Sequence, residues 1–218
     1  MQIAAVIPIA AGIGRPDLLA RDIAGASALA RSVRHVRDDV PEATVILTSN
    51  DPDVRRHAQS IAQPPLVIER TKTDYVQALN EALDQVKVAP DLVIVLEATH
   101  PFRPRNLLRR LVDNLKMREN LDSVICVSPM KRRLWRNEQG VGIMPLDDDG
   151  AGEGTYFAEV TGLGSITRPS LLRGGHRRGD RVGFEVVDPF WSMVDLKSDV
   201  MLVAAQGVAN ALDSAAEK

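Results

Sequence analysis

The feature that most constrains this chain is the aliphatic run at residues 92–96, Leu-Val-Ile-Val-Leu, which no polar residue interrupts. A strand wet on one face alternates apolar with polar residues. A strand covered on both faces does not, and such strands belong to parallel sheets with helices above and below. The run is therefore expected mid-sheet. Other strand-like runs at 3–8, 44–48, 66–68 and 123–128 alternate with segments at 25–36, 51–61, 73–86 and from Pro104 onward, whose apolar residues recur at threes and fours. That alternation predicts βαβ units and a three-layer α/β/α arrangement around a mostly parallel, twisted sheet.

Local signals mark where helices begin. Ser49, Asn50 and Asp51 are available to cap the second helix and Thr73 the third, while Pro104 is placed to open the fourth. A late strand is expected at 182–187 and a closing helix at 199–212. From 129 to 181 the rhythm fails, with glycine, proline and charge dominating, and only 155–160 and 164–167 look extended. This stretch is too long for a simple connection, and it reads as an arm inserted into one domain spanning residues 1–218.

Composition narrows the function. Apolar residues make up 44% and charged residues 26% of 218, ordinary for a chain that buries roughly 70% of its unfolded surface. A net charge of -2 supplies no global basic field, so nucleic acid is not an expected partner. No apolar run approaches the roughly 20 residues of a membrane span, and the opening residues lack a basic n-region, so no membrane partner and a cytoplasmic location are expected. The single cysteine, Cys126, lies in an apolar run and reads as a small core residue.

In open α/β sheets ligands bind beyond the carboxyl ends of the strands, which directs attention to the loops at 8–15, 48–51 and 97–103. The first, with Gly12, Gly14 and Arg15, has two readings: a cradle of backbone N–H groups for phosphate, or a turn that needs glycine for its backbone angles. His100 is either a ligand or acid–base group, or a turn histidine bonded to backbone. Glu97 is either a metal carboxylate or a solvated strand end. The basic stretch at 173–181 reads as a solvated loop or an anion-attracting patch, and the run at 131–133 likewise. Trp135 beside Arg136 sets an aromatic plane next to a fixed cation, a pairing suited to a sugar acid.

Across nearly all of its length the chain resembles the acylneuraminate cytidylyltransferase family. The family loop IPARGGSKRIP is matched at Pro8, Gly12, Arg15 and Pro16, and its STDD segment by Thr48, Ser49, Asn50 and Asp51. Its next arginine and helix-opening aspartate fall on Arg70 and Asp74. The family's LQPTSPLR appears as residues 96–103, keeping Leu96, Thr99, Pro101 and Arg103, and its VSP turn closes the run 124–129. Trp135 and Arg136 match the aromatic–basic pair, and residues 194–200 match the family's late acidic segment through Asp195 and Asp199.

The resemblance implies a nucleotide-diphospho-sugar transferase-like fold that transfers CMP from CTP to a nonulosonate-type acidic sugar and releases pyrophosphate. It assigns catalytic roles to Arg15 and Asp195, and nucleotide contacts to Pro8, Gly12, Gly14, Arg15, Asn50, Asp51, Arg70 and Asp74. Sugar contacts fall on Glu97, Thr99, His100, Arg103, Arg136 and Gly162. A Mg²⁺ ion is expected on Asp195 with Glu97 as second carboxylate, since Mg²⁺ needs only one or two. A homodimer is expected through the arm at 129–181, with Trp135, Ile143, Met144, Tyr156 and Phe157 as its apolar groups.

The departures are specific. The loop's first arginine is Ala10 here and its lysine is Gly14, the first aspartate of the metal pair aligns with Met193, and the sugar-recognising RPNG becomes Thr161, Gly162, Leu163, Gly164. Each lost charge-assisted contact typically costs about 1.5–3 kcal/mol, so two amount to roughly a thousandfold in affinity unless Arg21, Lys72 or Arg103 substitutes. The alternative expectation is therefore a catalytically impaired module of the same fold that holds a nucleotide or nucleotide sugar. A last reading makes Asp195 the cap of a helix beginning near Leu196.

Overall fold

The computed structural model describes residues 1–85, 89–130, 134–145 and 156–216. Val86, Thr155 and the basic run at 131–133 lie outside them. In chain order the elements are β1 (Ile3–Ile9), β2 (Asp22–Ile23), β3 (Ala26–Ser27), α1 (Ala28–Asp39), β4 (Thr44–Ser49), α2 (Pro52–Ser60), β5 (Leu66–Glu69), α3 (Tyr75–Asp84), β6 (Leu92–Val95) and α4 (Leu107–Met117). There follow β7 (Ser123–Met130), β8 (Trp135–Glu138), β9 (Gly142–Pro145), β10 (Tyr156–Glu159), β11 (Ser165–Thr167), α5 (Pro169–Arg173), β12 (Val182–Val186) and α6 (Asp199–Ala216).

The main sheet runs β10-β7-β11-β6-β1-β4-β5, with β12 also on β7. β6, β1, β4 and β5 pair in parallel, as do β7 and β12, while β11 runs antiparallel between β6 and β7 and β10 runs antiparallel on β7. The aliphatic run at 92–96 lies mid-sheet as expected, and its alternate residues feed two cores. Leu92, Ile94 and Leu96 pack with α1, α4 and α6 on one face, and Val93 and Val95 with Leu79, Ala82, Leu83 and Leu172 of α3 and α5 on the other. A strand with no wet face has no use for a polar residue, which is why the run is unbroken.

Helix starts depend on partners that local signals only partly reveal. Asp51 caps α2, its carboxylate accepting from the N–H groups of Asp53 and Val54. α3 is capped by Asp74, which accepts from Gln77 N at 2.8 Å, and not by Thr73. α4 begins at Leu107 instead of Pro104, because Asn106 takes a left-handed conformation and the buried Asp39 accepts from the N–H groups of both Asn106 and Leu108 at 2.9 Å. α6 begins at Asp199, and Ser198 Oγ accepts from Met201 N at 3.3 Å. Asp195 lies four residues before the helix and does not cap it.

The stretch at 129–181 divides. β10, carrying Tyr156 and Phe157, and β11 enter the main sheet, whereas β8 and β9 form a separate two-stranded hairpin with Trp135 and Ile143 exposed. Among the described residues no helix is long and apolar enough to cross a membrane.

Candidate functional site

The strands that end side by side, β1, β4 and β6, deliver their following loops to one edge of the sheet. The loop after β1 turns through Gly12 and Gly14, both at positive φ of 78° and 69°, a conformation that costs any residue with a β-carbon. The glycine requirement of the second reading is thus real, and part of the loop's backbone is already spent on the turn itself, Ile13 N donating to Ala10 O at 3.3 Å. Asn50, after β4, pins this loop by accepting from Ala11 N at 2.6 Å.

A cavity of about 350 Å³ opens at this edge. Pro8, Gly14 and Arg15 line one side and Glu97 and Thr99, after β6, another. Arg70 and Tyr75 flank the start of α3 there, and Arg177 and Lys197 reach in from the distal loops. Clefts of about 650 and 640 Å³ lie elsewhere, the first beside Ser27 and His57 and the second between α1 and the far end of the β6 loop, at Phe102 and Trp191.

The structure brings Pro8, Gly14, Arg15, Arg70, Glu97 and Thr99 onto this cavity. Asn50, Asp51 and Asp74 serve instead as the loop pin and the two helix caps already described. Arg103 is buried and faces the protein. Its Nε donates to Leu163 O, Nη1 to His100 O and Ser32 Oγ, and Nη2 to Glu97 O and Gly162 O, all within 3.1 Å. Burial lowers it to about 10, still charged at neutral pH. Arg103 thereby ties the β6 loop to residues 162–163. Gly162 is packed under His100, and Arg136 sits on the hairpin, paired with Glu138 at 2.8 Å. Of the substitute cations expected, Arg21 and Lys72 are exposed and do not line the cavity.

Behind the cavity wall a polar chain runs from β6 toward α6. Thr99 Oγ1 lies 3.1 Å from His100 Nδ1, and that nitrogen is 3.9 Å from Asp195 Oδ1. Burial pushes His100 down to about 4, so its ring is neutral at pH 7. Asp195 Oδ2 pairs with Lys197 Nζ at 2.5 Å, and its buried Oδ1 has no hydrogen-bond partner among the described residues. Burial raises the Glu97 carboxyl, Arg177 opposing and Asp195 adding to the shift.

Sequence reasoning missed Tyr75, Arg177 and Lys197. The basic stretch at 173–181 was the one signal for Arg177, but nothing in the sequence separates it from Arg173 and Arg178, which pair with Asp84 and Glu159.

The sheet order, the helices on both faces and the cavity at the strand ends define the nucleotide-diphospho-sugar transferase-like α/β fold of cytidylyltransferases. CMP:2-keto-3-deoxy-manno-octonic acid synthetase, solved as a complex with CTP, superposes with a TM-score of 0.73 at 14% identity, over 96% of this chain and 99% of that one. 4-diphosphocytidyl-2C-methyl-D-erythritol synthase from Anaerococcus prevotii superposes with a TM-score of 0.70, also at 14% identity, over 96% of each chain. At that identity the likeness is one of fold. No protein-family model matches the sequence, and no curated protein matches it.

Proposed function

We propose that the chain is a cytidylyltransferase that moves CMP from CTP to a nonulosonate-type acidic sugar and releases pyrophosphate. The observation that carries this reading is the 350 Å³ cavity walled by the glycine loop after β1 and by Glu97 and Thr99 after β6, in a fold shared with two proteins named for cytidylyl chemistry. The sugar hydroxyl oxygen attacks the α-phosphorus, a new O–P bond forms, the bond to the bridging oxygen breaks, and the hydroxyl proton passes to water. The protein's part is positioning and charge stabilisation: the β1 loop offers N–H groups to phosphate, and the cavity's cations face the charge that develops.

Mg²⁺ fits the donor chemistry. It takes one or two carboxylates and fills the rest of its shell with phosphate oxygens and water. Asp195 holds a buried, unpartnered Oδ1, and the charge of Asp195 acts on Glu97, although no group of three metal-ligating side chains gathers among the described residues. Asp195 and Glu97 would hold the ion, which when bound neutralises charge on the phosphate oxygens. A cytoplasmic homodimer belongs to the same reading, with Trp135 and Ile143 of the β8–β9 hairpin, 60% and 74% exposed, as its apolar contacts. Sedimentation at micromolar concentration tests it, and a monomer would defeat it.

One observation favours the second reading, a nucleotide-holding module without turnover. Arg15, the loop cation retained at its family position, is already neutralised by Asp17 and Asp199. Calorimetry against CTP, UTP, GTP and ATP with Mg²⁺, followed by a pyrophosphate-release assay with CTP and a panel of 2-keto sugar acids, separates the two. Binding of CTP alone with release of pyrophosphate supports the transferase; binding without release supports the module; no response to any nucleotide overturns both.

A further inference from the structure

The cations of the cavity are not equally free. Arg15 gives Nε and Nη2 to Asp17 at 2.8 Å each and Nη1 to Asp199 at 3.0 Å. Arg70 donates Nε and Nη2 to the carbonyls of Lys72 and Thr73 at 2.7 Å, so its fork is occupied by backbone. Lys197 is paired with Asp195. Arg177 differs from all three. Its guanidinium carbon lies 5.1 Å from the centroid of the Tyr75 ring, and among the described residues it has neither a carboxylate within ion-pair reach nor a hydrogen-bond acceptor.

A guanidinium resting on a ring face satisfies its own face and leaves its edge donors open, and five N–H groups in a plane match the oxygens of phosphate or carboxylate. Tyr75 adds to the same wall. Its hydroxyl is buried with no partner among the described residues, and burial pushes it up to about 12, so it remains a donor at neutral pH. A buried polar group without a partner is costly, and a ligand oxygen would relieve it.

The loop that carries Arg177 is held in place. Asn80 Nδ2 of α3 donates to Leu172 O at 2.6 Å, Arg173 pairs with Asp84 at 2.6 Å, and the chain reverses after α5 through Gly175 at φ 82°. These ties hold α5, from which the loop departs, against α3, the helix that Tyr75 begins. The cation thus arrives from the far side of the chain, at a cavity whose own loop has Ala10 and Gly14 where the family resemblance calls for charge.

We infer that Arg177 is the oxyanion anchor of this cavity, a specificity-determining residue whose edge donors, with the Tyr75 hydroxyl, meet a phosphate or carboxylate of the ligand. This rests on reading the cavity as a nucleotide site. The oxyanion has two sources, the triphosphate of the nucleotide and the carboxylate of the acceptor, and the experiment tells them apart.

Calorimetry on the full chain compares wild type with Arg177→Gln, Arg177→Lys and Tyr75→Phe, using CTP, cytidine and inorganic pyrophosphate, with thermal midpoints recorded for each variant. A triphosphate anchor makes Arg177→Gln weaken CTP and pyrophosphate by about tenfold or more while cytidine is unchanged, with Arg177→Lys recovering part of the loss. A carboxylate anchor leaves CTP unchanged and raises the KM for a 2-keto sugar acid by the same factor. Variants that keep wild-type affinity for CTP and pyrophosphate and wild-type KM for the sugar acid overturn the inference and leave the nucleotide site standing. Wild-type protein that ignores CTP yet holds pyrophosphate through Arg177 overturns the nucleotide reading alone. Wild-type protein that holds neither overturns both.

Discussion

Gly162 and the ring of His100 occupy adjoining space so closely that a β-carbon on Gly162 would overlap His100 at Nδ1 and Cε1. The glycine is what lets His100 lie buried between Thr99 and Asp195.

Gly162→Ala is therefore expected to destabilise the fold by about 1–3 kcal/mol, the range for forcing an extra methyl into a packed interior. Urea unfolding measures it. Adding His100→Ala should remove much of the penalty, because the pair is in direct contact and its effects will not add. A Gly162→Ala protein as stable as wild type would mean that the ring has room to move.

Arg103 makes a different forecast from the sugar contact that its sequence position suggests. Its guanidinium satisfies four carbonyls and a hydroxyl inside the protein. Arg103→Lys retains the charge but cannot span that set, and buried acceptors left without donors cost about 1–3 kcal/mol each. The expected outcome is a loss of at least about 3 kcal/mol in urea, accompanied by loosening of the β6 loop. Full stability with impaired sugar binding would reverse the assignment.

These residues show what the sequence discloses and what it withholds. The central strand was legible because burial on both faces of Leu92 and Val93 leaves a local mark, an unbroken aliphatic run. Ser49, Asn50 and Asp51 were recognisable as cap candidates for the same reason: the cap lies next to its helix. α4 was misplaced by three residues because its cap is Asp39, 67 positions earlier than Asn106. Arg177 was one of several arginines in a basic stretch, and only the path of the loop over α3 sets it on Tyr75. His57 stands in the last turn of α2, and only the fold shows that its Nε2 lies 2.8 Å from Ser27 Oγ, the cap of α1. Contacts between distant segments carry no local period.

His57 supplies a test by pH. Burial lowers its affinity for a proton in the folded protein, whereas the unfolded chain keeps the ordinary value near 6.5. The unfolded state therefore takes up a proton that the folded state resists, so stability falls as pH drops below about 6.5 and the loss ends once the folded histidine also titrates. A His57→Gln variant should lose that part of the slope in urea midpoints measured between pH 7 and pH 5. Parallel pH profiles for the two proteins would show that His57 carries none of it.

Asp195 is the last and most consequential case, since the structure takes away its structural alternative. Ser198 holds the first turn of α6, so replacing Asp195 costs no cap. What Asp195→Asn removes is one partner of Lys197, a pair whose lysine is exposed and whose aspartate is mostly buried, and the anionic character of a buried oxygen that has no hydrogen-bond partner among the described residues. If that oxygen faces Mg²⁺, CTP affinity in wild type should rise on adding Mg²⁺ and fall again with EDTA. Asp195→Asn should then lose about tenfold or more of the gain, because a neutral amide is a poor substitute for a carboxylate on a hard cation. Glu97→Gln should show the same pattern more weakly. Calorimetry with and without Mg²⁺, read beside urea midpoints, separates the two effects: an Asp195→Asn protein whose CTP affinity still responds to Mg²⁺ as wild type does would confine Asp195 to its pairing with Lys197.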